Sequence, residues 1–311
     1  MKKIKFSLII IVTFIVIFMI LGCAKEKQNE KEVNNIEIEK NQEIDETSND
    51  IDEVEVEDNV VDNESDKIVY IKDSALEQLI RETINKETGD ITISDMQEIY
   101  RININYEDYP VYELDGLEYA SNLENFSYRY GKLKDINCIA NNEKMNYFSM
   151  SYSTIEDTNI IDFKTPMLES VSFIESNVSD FNFLAGVSSI NKLTIMRTSL
   201  NSIDFLENMN DLETVNLANN KIDNIFALEN KKSLSELNLQ GNLISDITPL
   251  ASCNNLKILT LSYNVFEDIG PLFEIDNLAY VKLYEEIAAP KINKNEIKKL
   301  IDTGVSVEYH E

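Results

Sequence analysis

The chain has 311 residues, with 28 lysines and arginines against 56 aspartates and glutamates, so its formal net charge at pH 7 is −28. A nucleic-acid-binding surface needs clustered basic residues to neutralise phosphates, so this charge argues against a DNA or RNA partner. It also argues against electrostatic docking on anionic lipid. The only histidine is His310, which argues against most catalytic triads and histidine-rich metal sites.

The first 22 residues have the pattern of a secretory signal, with three lysines among the first five residues and an apolar run up to Leu21. The run ends in Ile-Leu-Gly-Cys at residues 20–23, which resembles the bacterial lipobox. The resemblance implies cleavage before Cys23 and lipid attachment at Cys23, and two acyl chains are enough for stable anchoring. An uncleaved N-terminal helix is the alternative. Both place the body of the protein at the outer face of the cell membrane.

Residues 23–67 form an acidic segment. Between residues 24 and 66 the chain has 4 lysines, 17 acidic residues and no aromatic residue, glycine or proline. Low hydrophobicity and charge repulsion predict disorder. We expect a flexible tether of very roughly 35 Å that lifts the folded part off the membrane.

A repeat of 22 residues begins after this segment. Its clearest unit is Leu212-x-x-Val215-x-Leu217-x-x-Asn220, and the same frame starts again at Leu234 and at Leu256. The frame extends over about nine units between residues 99 and 284. One unit cannot bury its apolar residues alone, so the units are expected to stack and share one core.

The frame predicts a right-handed α/β repeat solenoid. Each coil has a short strand, a turn at the asparagine and an irregular or 3₁₀ return, and the strands form a parallel concave sheet. The asparagine amide is expected to satisfy backbone groups at the turn. Gly131, Ser153, Ser176 and Thr198 replace it in earlier units, where we expect less regular coils.

The later units carry the sequence Leu239-x-x-Asn242-x-Ile244-x-Asp246-Ile247-x-Pro249-Leu250. This pattern resembles the internalin-type leucine-rich repeats of Gram-positive surface proteins, and the resemblance covers about residues 70–311. It implies a leucine-rich-repeat solenoid. It is much less specific for function, because such scaffolds bind many different ligands.

Both ends of the solenoid have the signals of a cap. Residues 68–98 predict a helical N-terminal cap, in which Ser74-x-x-Glu77 and Ser94-x-x-Gln97 start two helices. Residues 285–311 predict a C-terminal cap with a helix that starts at Asn293, ends at Gly304 and leads into a closing strand. Cys138 and Cys253 fall about five coils apart, about 25 Å at the spacing of neighbouring strands, so both are predicted to be free thiols.

Side chains alternate between the two faces of a strand, which predicts the residues on the concave sheet. One column is small and mostly neutral, and packing and solvation explain it without a ligand. Tyrosine, arginine and exposed apolar residues, which are enriched in interfaces, are predicted beside it. Scattered exposed hydrophobic residues are the alternative. The column is Asn103, Ser127, Ser149, Ser172, Thr194, Asn216, Asn238, Thr260 and Lys282, and the candidate ligand-binding patch is Arg129, Tyr130, Tyr147, Tyr152, Ile174, Met196 and Arg197.

An acidic series runs along the turns, and we interpret it as a solvated edge rather than a calcium site, because no calcium-binding loop motif is present. No cofactor and no metal are expected. The members of the series are Asp157, Asp162, Asp180, Asp204, Asp223, Asp246 and Asp268.

These observations predict a lipid-anchored, surface-displayed, monomeric protein that binds a protein or glycan partner and is not an enzyme. A structural lipoprotein of the cell wall without a specific ligand is one alternative. A carboxylate-dependent hydrolase of the envelope is another, since paired carboxylates hydrolyse glycosides without histidine. A solute-binding lipoprotein needs two α/β lobes around a hinge, which a 22-residue repeat does not make.

Overall fold

The computed structural model describes residues 64–157, 163–284 and 292–310. Val60–Glu311 forms one compact unit. The predicted signal, Cys23 and most of the predicted tether lie outside the described residues, as does Asp162 of the acidic series. Every helix in the described part of the chain is too short or too polar to cross a lipid bilayer.

Twelve strands and three α-helices are described, and ten of the strands form one parallel sheet in chain order. The helices are α1 (Ser74–Thr83), α2 (Ile93–Met96) and α3 (Lys294–Asp302). The strands of the main sheet are β1 (Arg101–Asn105), β2 (Asn125–Arg129), β4 (Tyr147–Ser151), β6 (Ser170–Ile174), β7 (Lys192–Met196), β8 (Thr214–Asn216), β9 (Glu236–Asn238), β10 (Ile258–Thr260), β11 (Tyr280–Leu283) and β12 (Ser306–Tyr309). The remaining two, β3 (Lys132–Leu133) and β5 (Thr154–Ile155), pair with each other.

The strands pair in the register that the repeat predicts. Val215 lies beside Leu193 on one side and Leu237 on the other, so equivalent residues of successive coils are neighbours. Leu212, Leu234 and Leu256 are all completely buried in the same core. The predicted solenoid of nine repeat strands is confirmed, with β12 as a tenth strand after them.

The return half of most coils contains a 3₁₀ helix, as predicted. In several coils, the side chain two positions before the first residue of this helix accepts a hydrogen bond from the backbone N–H of that first residue. Asp180 accepts from Asn182 at 2.8 Å, Asp246 from Thr248 at 2.8 Å and Asp268 from Gly270 at 2.7 Å. These three members of the acidic series therefore have a structural role, because they satisfy donors at the start of each return.

The turn asparagines satisfy backbone groups of two coils at once, as predicted. Asn242 Oδ1 accepts from Ile222 N at 3.1 Å, and its Nδ2 donates to Leu217 O at 3.0 Å and Leu239 O at 2.9 Å. Asn264 repeats this arrangement one coil later. The amide stands between coils where no backbone partner is available, so each asparagine joins its coil to the preceding one.

The coils that lack this asparagine are organised differently from the later coils. Their main-sheet strands β1, β2, β4, β6 and β7 have five residues each, against three in β8, β9 and β10. The backbone after the turn also pairs directly, with Thr154 N donating to Gly131 O at 2.9 Å and Asn177 N to Ser153 O at 2.8 Å. Without an amide side chain to accept and donate, buried backbone groups pair with each other instead.

Removal of the side-chain amide of one turn asparagine is expected to destabilise the fold. Asn242→Ala deletes the hydrogen bonds of this amide and leaves buried backbone groups without a partner, so the free energy of unfolding should fall by about 2–4 kcal/mol. Urea unfolding of the variant measures this. Asn254→Ala, at an exposed position, is the control and should lose less than about 0.5 kcal/mol. Equal losses of stability in the two variants would contradict the role of the turn asparagines in joining successive coils.

The N-terminal cap contains the two predicted helices, but its N-cap residues were predicted wrongly. The N-cap of α1 is Asp73, not Ser74, and the N-cap of α2 is Thr92, not Ser94. A carboxylate one residue earlier outcompetes Ser74, because Asp73 Oδ1 accepts from Ala75 N at 2.9 Å while its Oδ2 accepts from Tyr112 N at 2.7 Å. One side chain thus caps the helix and holds the segment that follows β1.

At α2 the capping box is formed by Thr92 and Asp95, not by Ser94 and Gln97, since the Asp95 carboxylate accepts a hydrogen bond from Thr92 N. The cap also includes residues that the prediction assigned to the tether. Glu64–Asp66 is a 3₁₀ helix, and Lys67 O accepts from Ile93 N at 3.0 Å.

The two roles of Asp73 predict a clear difference between neighbouring substitutions. Asp73→Ala should lower the free energy of unfolding by about 1–2 kcal/mol through the lost helix cap alone. Ser74→Ala should change it by less than about 0.5 kcal/mol. Thermal unfolding of both variants checks this. A larger loss of stability for Ser74→Ala than for Asp73→Ala would show that Ser74 is the N-cap.

The C-terminal cap follows the prediction over the described residues. Asn293 accepts from Asn295 N at 2.9 Å and starts α3, and Gly304 has a φ of 102° directly after it. Strand β12 then closes the main sheet. The predicted free thiols are also confirmed at Cys138 and Cys253, whose Sγ atoms donate to the Leu114 and Leu228 carbonyls of the preceding coils. Burial raises the pKa of both thiols.

Candidate functional site

The main sheet has one face against the core and one open face, which we call the sheet face. In β1, Ile102 and Ile104 are buried while Arg101 and Asn103 are exposed, and the other strands alternate in the same way. The pairing register therefore gives two rows of outward-facing side chains across the whole sheet and a third row on the five-residue strands β1, β2, β4, β6 and β7, in which Ser151 is buried. We call them the first row, which contains Arg101, the central row, which contains Asn103, and the last row, which contains Asn105.

The central row consists of the column that the sequence predicted, from Asn103 to Lys282, and Glu308 of β12 continues it. Short hydroxyl and amide side chains suit this position between two neighbouring rows. Ser127 Oγ donates to Asn103 Oδ1 at 2.7 Å, so neighbouring members bond along the row.

The structure brings six of the seven candidate residues together at the ends of the neighbouring strands β2, β4, β6 and β7, and separates Tyr147 from them. Arg129, Ile174 and Met196 lie in the last row, where Ser151 separates the first two. Tyr147 lies in the first row. Four residues separate these rows along a strand, which is about 13 Å. The remaining three are in turns that follow the strands, namely Tyr130, Tyr152 and Arg197.

The turn residues share a left-handed backbone conformation. Tyr130, Tyr152 and Arg197 have φ angles of 65°, 54° and 54°. Glu175 and Tyr263 have it at the equivalent position of their coils, with φ of 49° and 60°. This conformation costs an L-residue about 1–2 kcal/mol, so the coil geometry, rather than a ligand, imposes it at each turn. The orientation of these side chains is therefore set by the turn and not by the alternation of the strand.

Two of the turn tyrosines form an exposed pair. The rings of Tyr130 and Tyr152 are stacked with 5.2 Å between their centroids and 16° between their planes. They are 50% and 46% exposed. Arg197, in contrast, is engaged by its own neighbour, because its Nη1 lies 2.5 Å from Glu175 Oε1. The tyrosine pair is therefore available to a partner, whereas the charge of Arg197 is already compensated.

A second cluster, at the C-terminal end of the sheet face, was missed by the sequence prediction. Glu308 of β12 accepts hydrogen bonds from the hydroxyls of Tyr280 and Tyr284, and Lys282 Nζ lies 3.3 Å from its Oε1. Lys282 also lies over the Tyr284 ring, at 4.6 Å from the centroid, and His310 stacks on that ring at 4.3 Å. The alternation of Tyr280, Lys282 and Tyr284 in the ninth unit was the available signal, but their common partner on the capping strand was not.

The structure also limits the chemistry that the described residues can do. No group of three or more His, Cys, Asp or Glu side chains among them could hold a metal ion. A groove lies beside α1, where Arg81 pairs with Glu77 at 2.8 Å and Tyr109 donates a hydrogen bond to Glu82. The carboxylates of Glu77 and Glu82 in that groove are engaged with neighbouring side chains.

Comparison with known proteins agrees with this geometry. The family model of leucine-rich repeats in two copies matches residues 232–274. Internalin C2 of Listeria monocytogenes superposes with a TM-score of 0.61 at 24% identity, over 68% of this chain and 93% of its own. Listeria monocytogenes InlP gives a TM-score of 0.51 at 16% identity, over 68% of this chain and 64% of its own. Among curated protein sequences, none matches.

The fold is that of an internalin-like leucine-rich-repeat protein. The identity to the solved internalins is low, so the likeness establishes the solenoid and not a ligand. The particular residues of the internalin-like sheet face must therefore carry any functional argument.

The C-terminal cluster of the internalin-like domain is strongly coupled electrostatically. Burial by itself would raise the pKa of Glu308, but the hydroxyls of Tyr280 and Tyr284 and the Lys282 ammonium outweigh it and hold that pKa below its ordinary value. The bond to Glu308 in turn raises the pKa of Tyr284 to about 12. The cluster is therefore an internally compensated unit at neutral pH.

A depressed pKa in the folded state means that Glu308 stabilises the internalin-like domain above its unfolded-state pKa of about 4.3. This stabilisation is lost as the pH falls through the lower folded-state pKa. Glu308→Gln should therefore lower the melting temperature at pH 7 and show a smaller further decrease at pH 3.5 than the unmodified protein. Thermal melts at both pH values measure this, with Glu236→Gln, also on the sheet face, as the control. Parallel pH profiles for Glu308→Gln and the unmodified protein would contradict it.

Proposed function

We propose that this protein is a binding protein of the bacterial envelope that holds a protein partner on the sheet face of its internalin-like domain, and that it is not an enzyme. The observation that carries the proposal is the open surface of ten parallel strands, which presents two rows of side chains across the sheet and a third row on five of its strands. A surface of this kind has the extent of a macromolecular interface, whereas small-molecule sites are enclosed concave pockets.

The composition of the sheet face supports a protein partner. Tyr147 is 37% exposed in the first row, and Ile174 and Met196 are half-buried neighbours in the last row. The stacked Tyr130–Tyr152 pair adds exposed aromatic surface beside them. Large aromatic and apolar side chains next to a polar central row are typical of interface anchors.

We further propose that the protein is displayed as a monomer on the outer face of a Gram-positive cell membrane, anchored through lipid at Cys23 and spaced from the membrane by the acidic segment. The support is the Ile-Leu-Gly-Cys sequence at residues 20–23 after an apolar run, and the 17 acidic residues that follow between 24 and 66. A charged spacer extends through self-repulsion and would carry the internalin-like domain away from the lipid.

Site-specific photocrosslinking on whole cells tests the proposal. A photoreactive amino acid in place of Ser149, in the central row, should give adducts with one partner, or a few, after irradiation in the presence of host matrix proteins or wall fragments. The same group in place of Ser188, an exposed residue in a return loop, is the control. A glycan adduct would move the partner to that class.

Absence of adducts at Ser149, or identical adducts at both positions, would favour a structural envelope protein without a specific ligand.

The same cells provide a test of the anchor. Cys23→Ser should release the protein into the medium, and its retention in the membrane fraction would contradict lipid attachment.

A further inference from the structure

The charge of the chain is distributed unevenly over the sheet face. Strands β1, β2, β4, β6 and β7 read RININ, NFSYR, YFSMS, SVSFI and KLTIM. These 25 residues contain no aspartate or glutamate, in a chain with 56 acidic residues out of 311. They contain three basic residues, Arg101, Arg129 and Lys192, and we call this part of the sheet face the cationic half.

The three basic side chains are exposed and uncompensated. Within residues 64–157, 163–284 and 292–310, none of them forms an ion pair, and all three are on the open side of their strands. The C-terminal half of the face differs, because Lys282 there lies against Glu308 and Glu236 adds a further negative charge. A partner with carboxylates thus meets three available cations at the cationic half.

The spacing of the three cations suits an extended partner. Arg101 and Lys192 share the first row, four strands apart in the sheet, which is about 19 Å. Arg129 lies in the last row, about 13 Å along the strand direction from the first row. These separations are too large for one small anion to contact two of the cations. Between them lies the central row, with the hydroxyls of Ser127, Ser149, Ser172 and Thr194 as further hydrogen-bonding groups.

The apolar neighbours favour a protein over an anionic glycan or phosphate polymer. Ile174 and Met196 form the last row next to Ser151, and Tyr147 lies in the first row between the strands of Arg101 and Lys192. Apolar and aromatic side chains of a protein can bury these groups, whereas a polyol phosphate backbone leaves them against polar atoms.

We infer that the cationic half binds an acidic segment of the protein partner, whose carboxylates meet Arg101, Arg129 and Lys192. The inference rests on the proposed function and adds the chemistry of the partner. The net charge of −28 does not prevent it. Ionic screening limits exposed charges to about 8 Å at 0.15 M salt, so the local cations dominate a docked segment.

Screening also gives the binding an unusual salt dependence. At about 0.01 M salt the screening length is about 30 Å, and the distant acidic surface then repels an acidic segment. At about 1 M salt the length is about 3 Å, and the local attraction is screened as well. Affinity should therefore be highest at intermediate salt, whereas an ordinary oppositely charged pair weakens continuously as salt is added.

The probe for the test is poly-L-glutamate of about 30 residues, titrated into the purified full chain at about 0.15 M salt, the physiological ionic strength. The key variant carries Arg101→Ser, Arg129→Ser and Lys192→Ser. The matched control carries Lys221→Ser, Lys232→Ser and Lys298→Ser, which removes the same charge from exposed positions off the sheet face. Far-ultraviolet circular dichroism and thermal melts establish that both variants are folded.

The key variant should bind poly-L-glutamate at least about tenfold more weakly than the unmodified protein, a difference of about 1.4 kcal/mol, while the control stays within about twofold. Equal weakening in both variants, or no binding by the unmodified protein at any salt concentration, would overturn the inference. A glycerol-phosphate polymer that binds more tightly than poly-L-glutamate, with the same dependence on the three cations, would also overturn it and assign the face to an envelope polymer.

The proposed function and the inference of an acidic partner segment can be refuted independently of each other. If a protein crosslinks through position 149 and the three serine substitutions leave that adduct unchanged, the proposed function stands and the acidic partner is wrong. If poly-L-glutamate binding follows the three cations but no protein crosslinks at position 149, the proposed function is wrong.

Discussion

The hydrogen bonding between successive coils is the constraint on which the structure depends. A single coil has a strand with free N–H and C=O groups on both edges and an apolar side that it cannot cover, so it is stable only against a neighbour. The main sheet satisfies the strand groups, and Asn220, Asn242 and Asn264 satisfy the groups that the turn leaves over. Because each asparagine bonds to the coil before it, packing and hydrogen bonding are repeated together along the chain.

This arrangement frees the other side of every strand. Residues such as Val171 and Phe173 are fixed by the shared core, while Ser170, Ser172 and Ile174 between them face outwards and do not determine the fold. The sheet face can therefore vary in charge and polarity without loss of the solenoid. The sheet face has a cationic half and a charge-compensated C-terminal cluster because its outward residues can vary in this way. The charge of the cationic half is opposite in sign to the net charge of the whole chain.

Much of the fold could be predicted, because a repeat brings residues 22 positions apart next to each other. That is why the central row was predicted from Asn103 to Lys282 and why Cys138 and Cys253 were expected to be apart. Three members of the candidate patch lie beyond the point where the alternation ends. Tyr130 and Tyr152 lie in left-handed turns, so their direction is set by the backbone of the coil and not by a period of two. At the caps, short-range signals competed, and Asp73 rather than Ser74 became the N-cap because it also bonds a distant segment.

The sequence by itself determined the repeat, the parallel register, the shared apolar core and the rows of the sheet face, since each follows from side-chain period and spacing. Only the tertiary structure decided which partner each polar group has. Lys231 takes the buried place that Met209 and Cys253 have in adjacent coils, and its ammonium donates to the Leu206 and Glu207 carbonyls at 2.7 and 2.8 Å. Glu308 likewise accepts hydrogen bonds from Tyr280 and Tyr284 and pairs with Lys282, all of which belong to the preceding coil. A local period carries no information about such bonds, because they depend on atoms that meet only when coils are stacked.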